Sequence, residues 1–210
     1  MKLASAIYPD CYPFQDMRLF DNYFRVIEPK ELDKDCALVV WGGQDISPSL
    51  YNKPVSKRTD ATEKLSSRDE IEWNLMKEAL ELGIPIIGIC RGAQMLCALA
   101  GGYLAQDVTN HTRSHDVVTN TGERFKVSSL HHQMLYPFGV DHEMVAWTQE
   151  PLSEYYLDAD SNINMPKESE FVYFPKERGI AIQWHPEFMP LDTPANDFVE
   201  RKIREYCYAS

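Results

Sequence analysis

The segment that most constrains the fold is Ile84-Pro-Ile-Ile-Gly-Ile-Cys90, a short apolar run joined without a spacer to Arg91–Ala100. The second stretch reads as a helix ended by Gly101-Gly102. A strand running directly into a helix leaves a sharp turn at the junction, and Gly88 and Gly92 flank Cys90 there. A related pattern lies upstream. Cys36-Ala-Leu-Val-Val-Trp41 is short, partly β-branched and stopped by Gly42-Gly43, as expected of a buried strand ending in a tight loop. From Ser67 to Leu82 the apolar residues Ile71, Leu75, Ala79 and Leu82 recur at helical spacing, opened by Ser66 and Asp69 and closed by Gly83 and Pro85. Strand, helix, strand and helix in succession predict an α/β fold, a three-layer sandwich whose central, mostly parallel sheet is flanked by helices.

The second half is less regular. Strands are expected at Asp116–Thr119, Arg124–Val127, Met144–Thr148, Glu170–Phe174 and Ile180–Gln183, several of them antiparallel and forming a small appendage, with a closing helix at Asn196–Cys207. Met1–Tyr12 reads as the first strand rather than a secretory signal, because its apolar run is too short. Residues 1–210 are expected to form one domain, since 210 residues suffice for a proper core. No stretch approaches the roughly 18 consecutive apolar residues of a membrane helix, so a cytoplasmic protein without membrane contact is expected. A net charge of −11 argues against non-specific nucleic-acid binding, which needs a basic face, but leaves room for a local anion pocket. The five cysteines are odd in number, scattered and without a CxxC pair, which points to reduced, mostly buried thiols rather than a zinc knuckle or a redox dithiol.

Chemistry concentrates in three places. Gly88-Ile-Cys-Arg-Gly92 would put Cys90 on an elbow at a helix N-terminus, a position suited to a nucleophile. Taken alone it divides evenly between a nucleophile and a small buried cysteine. Gln183-Trp-His-Pro-Glu187 tips the balance. In extended chain, residues two apart point to one side, so His185 and Glu187 can meet, with one ring nitrogen held by the carboxylate and the other free for Cys90. Trp41-Gly-Gly-Gln-Asp45 supplies glycine backbone at a strand end, and the N–H of Gly43 paired with that of Arg91 would make an oxyanion hole.

Together these segments resemble the triad type of the class I glutamine amidotransferase superfamily, over nearly the whole chain. Gly88-Ile-Cys-Arg-Gly-Ala-Gln94 with Gln183-Trp-His-Pro-Glu187 carries the likeness. The γ-glutamyl hydrolase group (peptidase C26), and within it the γ-glutamyl-γ-aminobutyrate hydrolases, is most similar. Supporting segments are Gly42-Gly-Gln-Asp-Ile-Ser-Pro48, Arg68-Asp69 with Glu72, Gly101-Gly-Tyr-Leu-Ala-Gln-Asp107 and Val127-Ser-Ser-Leu-His-His-Gln133. The resemblance implies a flavodoxin-like sandwich and a Cys90, His185, Glu187 triad forming a γ-glutamyl thioester. It also implies a glutamyl pocket lined by Gln94, Ser128, Ser129, His131 and His132. Two features depart from the group. Ser128-Ser129 stands where Asn-Ser is usual, and Asp10–Asp35 has room for little more than a helix and a short strand.

Other residues carry less. His111, His115, His131 and His132 lack the ligand spacing of a known metal motif, so no metal and no cofactor are expected. Arg113 is expected on a solvated loop and Cys97 in the core. Tyr155, Tyr156, Tyr173 and Phe174 fit packing better than an acceptor pocket. The leading reading is a stand-alone hydrolase of small γ-glutamyl amides. A glutaminase subunit feeding ammonia to a synthetase is the alternative, and an assembly with such a subunit or as a homodimer stays open. A non-catalytic binding relative is disfavoured by the intact triad.

Overall fold

The computed structural model describes residues 1–8 and 14–208. Cys11 and the last third of the expected first strand lie outside the described residues. The central sheet has nine strands, and its first five run parallel. Across the sheet these are β2 (Tyr23–Val26), β1 (Lys2–Ala6), β3 (Cys36–Val40), β4 (Ile86–Ile89) and β14 (Gly179–Ile182). Four more strands continue the sheet, each antiparallel to its neighbour: β13 (Ser169–Phe174), β10 (Glu143–Thr148), β7 (His115–Thr119) and β8 (Arg124–Val127). The antiparallel strands are therefore more than an appendage, because they share the backbone ladder of the central sheet. Two small sheets sit apart from it. One joins β5 (Tyr103–Ala105) to β9 (Met134–Tyr136), and the other orders β12 (Ser161–Asn162), β11 (Tyr156–Asp158) and β6 (Asp107–Val108).

The parallel strands β3, β4 and β14 are buried on both faces, which fits a sheet covered twice. In β3, Ala37 and Val39 join Ile87, Ile89, Ile180 and Ile182 under α3 (Pro194–Tyr208), whose Phe198, Val199 and Ile203 pack there. Leu38 and Val40 face the other way, with Ile86 and Ala181, against Leu75 and Met76 of α1 (Ser67–Leu82) and Met95 and Leu96 of α2 (Arg91–Leu99). The result is three layers. Cys97 is wholly buried in this second core, and burial pushes its thiol up to about 12.

Helix α1 begins where the sequence expects. Ser66 Oγ accepts from the Asp69 N–H while the Asp69 carboxylate accepts from the Ser66 N–H, a reciprocal cap, and Gly83 ends the helix at φ 70°. In the short segment before β3, the described residues hold β2 and one 3₁₀ turn at Pro29–Glu31 but no α-helix.

Candidate active site

Three adjacent parallel strands, β3, β4 and β14, deliver the expected residues to one edge of the sheet. The pairing sets Ile89 opposite Ile182, so Cys90 follows one residue after β4 and His185 three residues after β14, while Trp41-Gly42-Gly43 leaves β3 alongside. Carboxyl ends of parallel strands are where α/β sheets bind ligands, since the loops leaving them open onto a crevice.

Cys90 has φ 49° and ψ −104°, a conformation that costs a non-glycine residue about 1–3 kcal/mol. Its neighbours enforce it. The Cys90 N–H donates to the Ile182 carbonyl at 2.7 Å, and the Cys90 carbonyl accepts from the Gln94 N–H at 3.0 Å. A Cβ on Gly88 would lie 2.5 Å from the Gly92 carbonyl, and one on Gly92 would lie 2.0 Å from the Val40 oxygen. Strand, elbow and helix thus touch backbone to backbone, a fit that no side chain at either glycine would permit.

His185 is fixed from several directions. Ser128 Oγ donates to its carbonyl at 2.7 Å and accepts from its N–H at 3.2 Å. The ring Nδ1 lies 2.7 Å from Glu187 Oε1, Phe188 stacks on the ring at 4.6 Å, and a Cβ on Gly42 would come within 2.6 Å of Cε1. Burial pulls the imidazole pKa down, but interactions with Cys90 and Glu187 outweigh it and raise the pKa to about 10. Gln183 Nε2 also reaches the Cys90 sulfur, at 3.8 Å.

The two expected oxyanion donors are braced by one polar network on α1. Arg68 donates to the carbonyls of Trp41 and Gly42 at 3.1 and 2.9 Å and to Glu72 at 2.9 Å. Holding the Gly42 carbonyl toward Arg68 turns the N–H of Gly43 to the opposite side of a trans peptide. Gly43 has φ 152°, and a Cβ there would strike Arg68 at 2.1 Å. Arg91 buries its guanidinium against Asp69, at 2.6 Å, and against Glu72, while its N–H is the first of α2 and has no preceding helical carbonyl to bond.

A cavity of about 850 Å³ opens over Cys90, His185, Glu187, Gly42 and Gly43. Of the residues expected to bind substrate, His132 lines it, and its Nε2 lies 3.1 Å from Asp45 Oδ1. Gln94, Ser128, Ser129 and His131 do not line it. Gln94 donates to the Gln133 carbonyl, Ser128 holds His185, Ser129 donates to the His111 carbonyl, and His131 is buried. Arg113 is exposed, as expected, and His115 is buried with Nε2 2.9 Å from Glu170. Trp41, Gln44 and Asp45 of the glycine loop and Leu130 of the Ser128–His132 stretch also line the cavity; sequence reasoning gave no role to Asp45, Asp60, Tyr8, Phe188 or Gln183. Asp45, two residues past Gly43 in the same glycine loop, was the one with a local signal. Burial raises its pKa, yet hydrogen bonds from His132 and Thr59 dominate and lower it, so it is ionised at neutral pH.

The profile of one family, peptidase C26, matches residues 30–187, a stretch that includes every residue of the elbow and of the His185–Glu187 pair. The chain belongs to the peptidase C26 family. Among relatives, this C26 chain is 28% identical over 179 residues to the protein NtpR of Enterococcus hirae, covering 74% of this chain and 68% of that one. It is 30% identical over 151 residues to a γ-glutamyl-CDP-amidate hydrolase of Campylobacter jejuni, covering 72% and 62%. The chain therefore spans about two-thirds of these relatives' length. Its fold is similar to that of a glutamine amidotransferase from Thermotoga maritima, with a TM-score of 0.60 over 98% of this chain and 82% of that one at 16% identity. No helix among the described residues is long and apolar enough to cross a membrane.

Proposed function

We propose that this C26 protein hydrolyses the C–N bond of a γ-glutamyl amide through a thioester on Cys90. The observation that carries the reading is the strained Cys90 elbow sharing one cavity with an imidazole whose Nδ1 is 2.7 Å from Glu187. The Cys90 sulfur attacks the γ-carbonyl carbon as His185 takes its proton. The oxygen becomes an oxyanion that accepts from the Gly43 and Arg91 N–H groups. His185 passes its proton to the leaving nitrogen, the C–N bond breaks and the amine departs. Water then gives a proton to His185 and attacks the thioester, and glutamate leaves as the sulfur recovers the proton. Glu187 orients His185 and stabilises its charge throughout.

The lining supports a substrate class. Asp45 and Asp60 face the cavity, and no lysine or arginine does among its described residues, which suits the α-ammonium of a glutamyl group. Among the lining residues, Leu130 and Phe188 are 62% and 65% exposed, and Tyr8 is exposed as well. Such a lining favours an apolar or aromatic leaving amine over one bearing phosphate. The test is glutamate release from L-glutamine and from γ-glutamyl amides of aliphatic, aromatic and phosphate-bearing amines. Fast release from an apolar or aromatic amide, lost by at least about 10³-fold in Cys90→Ala, supports the proposal. Slow release from glutamine alone indicates an ammonia-donating subunit instead, and equal rates with and without Cys90 refute the reading.

A further inference from the structure

Beneath the cavity wall lies a second cluster that the proposed reaction does not use. His111, on the loop after β6, and His131, on the loop before β9, meet Glu170 of β13, and all three are buried. One ligating atom from each lies within 4.8 Å of the others. His111 Nδ1 is 3.5 Å and His131 Nε2 is 3.9 Å from Glu170 Oε1.

The orientation of the rings is the telling feature. His131 Nδ1 lies 2.9 Å from the Gln133 carbonyl, which can only accept, so Nδ1 carries a hydrogen and Nε2 of the neutral ring turns a lone pair toward the carboxylate. No well-formed hydrogen bond reaches either nitrogen of His111, His131 Nε2 or Glu170 Oε2, all of them buried; Glu168 and Glu170 approach His111 only at 3.3 and 3.5 Å. A lone pair aimed at a carboxylate is repulsive, and each buried polar atom left unpaired costs about 1–3 kcal/mol. A cation at the centre removes both penalties at once. The remaining groups form the outer layer that metal sites require. Glu168 lies 3.3 Å from His111 Nε2, the Gln133 carbonyl orients His131, and His115 holds Glu170 at 2.9 Å. Zinc bonds of about 2.0–2.2 Å to nitrogen and oxygen put tetrahedral ligand atoms roughly 3.3–3.6 Å apart, so the His111 Nδ1 contact of 3.5 Å already fits while the widest spacing, up to 4.8 Å, must close by about 1 Å.

We propose that His111, His131 and Glu170 bind one divalent transition-metal cation of the zinc type, with His111 Nδ1, His131 Nε2 and a Glu170 carboxylate oxygen as ligands. The ligand set is drawn from three distant segments, so no spacing in the sequence announces it, and the site runs against the expectation of no metal. Its burial makes it structural. It ties the loop carrying Ser128, Leu130 and His132 to the sheet, and Ser128 in turn grips the His185 backbone.

Untagged protein exchanged against zinc and then passed into metal-free buffer should retain about one zinc per chain by elemental analysis, and added zinc should raise the melting temperature of chelator-treated protein. His131→Ala should lose the stoichiometric zinc. His131→Cys offers a ligand in its place, and its cobalt form should gain a thiolate-to-cobalt charge-transfer band that cobalt-loaded wild-type protein lacks, which places position 131 on the metal. Wild-type protein that retains no zinc and shows no thermal shift would overturn the proposal, leaving a cluster satisfied by water. Zinc retained equally by wild type and His131→Ala, with no new band in His131→Cys, would overturn it as well.

Discussion

The parallel and antiparallel halves of the sheet do different work around one cavity. The parallel half holds Cys90, Gly43 and His185 by backbone geometry, through strand register, two glycines without room for a side chain, and an elbow at φ 49°. The antiparallel half contributes no residue of the expected triad. It supplies buried polar side chains, Glu168 and Glu170 of the β13 region and the histidines they face, which hold the cavity wall in place. Position is set by main-chain sterics on one side and by charged side-chain contacts on the other. The first is intolerant of any added atom, whereas the second can be loosened by degrees.

The sharpest test of that contrast uses glycines. Gly92→Val should abolish activity, by more than about 10³-fold or through failure to fold, because the first added carbon meets the Val40 carbonyl at 2.0 Å. Gly139→Ala, in the loop before β10, has nothing within 4 Å of the new carbon and should change unfolding free energy by no more than about 0.5 kcal/mol. Circular dichroism and denaturant melts check both, and a normal Gly92→Val enzyme would break the comparison. Glu187→Gln comes next. Turnover should fall by about 10²–10⁴-fold with thioester formation retained, measured by burst kinetics. Because Glu187 is one of the groups holding the His185 pKa at about 10, that pKa should drop in the variant, as read by NMR titration. Complete loss of Cys90 reactivity would argue against a purely orienting role.

Arg68→Ala should cost less, about 10–10²-fold in kcat with little change in KM, since it frees the Gly42 carbonyl without touching the triad. A change confined to KM would instead put Arg68 in binding. Ser128→Ala should cost least, within about tenfold, because the hydroxyl it removes only pins the His185 backbone.

What the sequence disclosed follows the same division. The β3–β4–α2 core and the elbow were legible because apolar runs, helical spacing and glycine punctuation are local signals. His185 and Glu187 were legible for the same reason, two residues apart on one extended segment. The sheet's antiparallel continuation was undervalued because short strands such as β7 and β8 look like hairpins wherever they dock. The joining of Arg91 to Asp69 and Glu72 and the His111–His131–Glu170 cluster were hidden, since each unites residues that only the fold brings together. Gln94 and Ser129 were assigned to the lining because the family likeness says nothing of which way a side chain turns. Here each is turned to a backbone carbonyl, of Gln133 and of His111.

The central claim is that the elbow cysteine carries the γ-glutamyl group, and intact-mass analysis of enzyme quenched in acid during turnover of a γ-glutamyl amide tests it most directly. The account predicts a mass increase of one γ-glutamyl group, mapped by peptide digestion to Cys90, released by hydroxylamine and absent from Cys90→Ala. An adduct on any other residue, or undiminished glutamate release by Cys90→Ala, would contradict it.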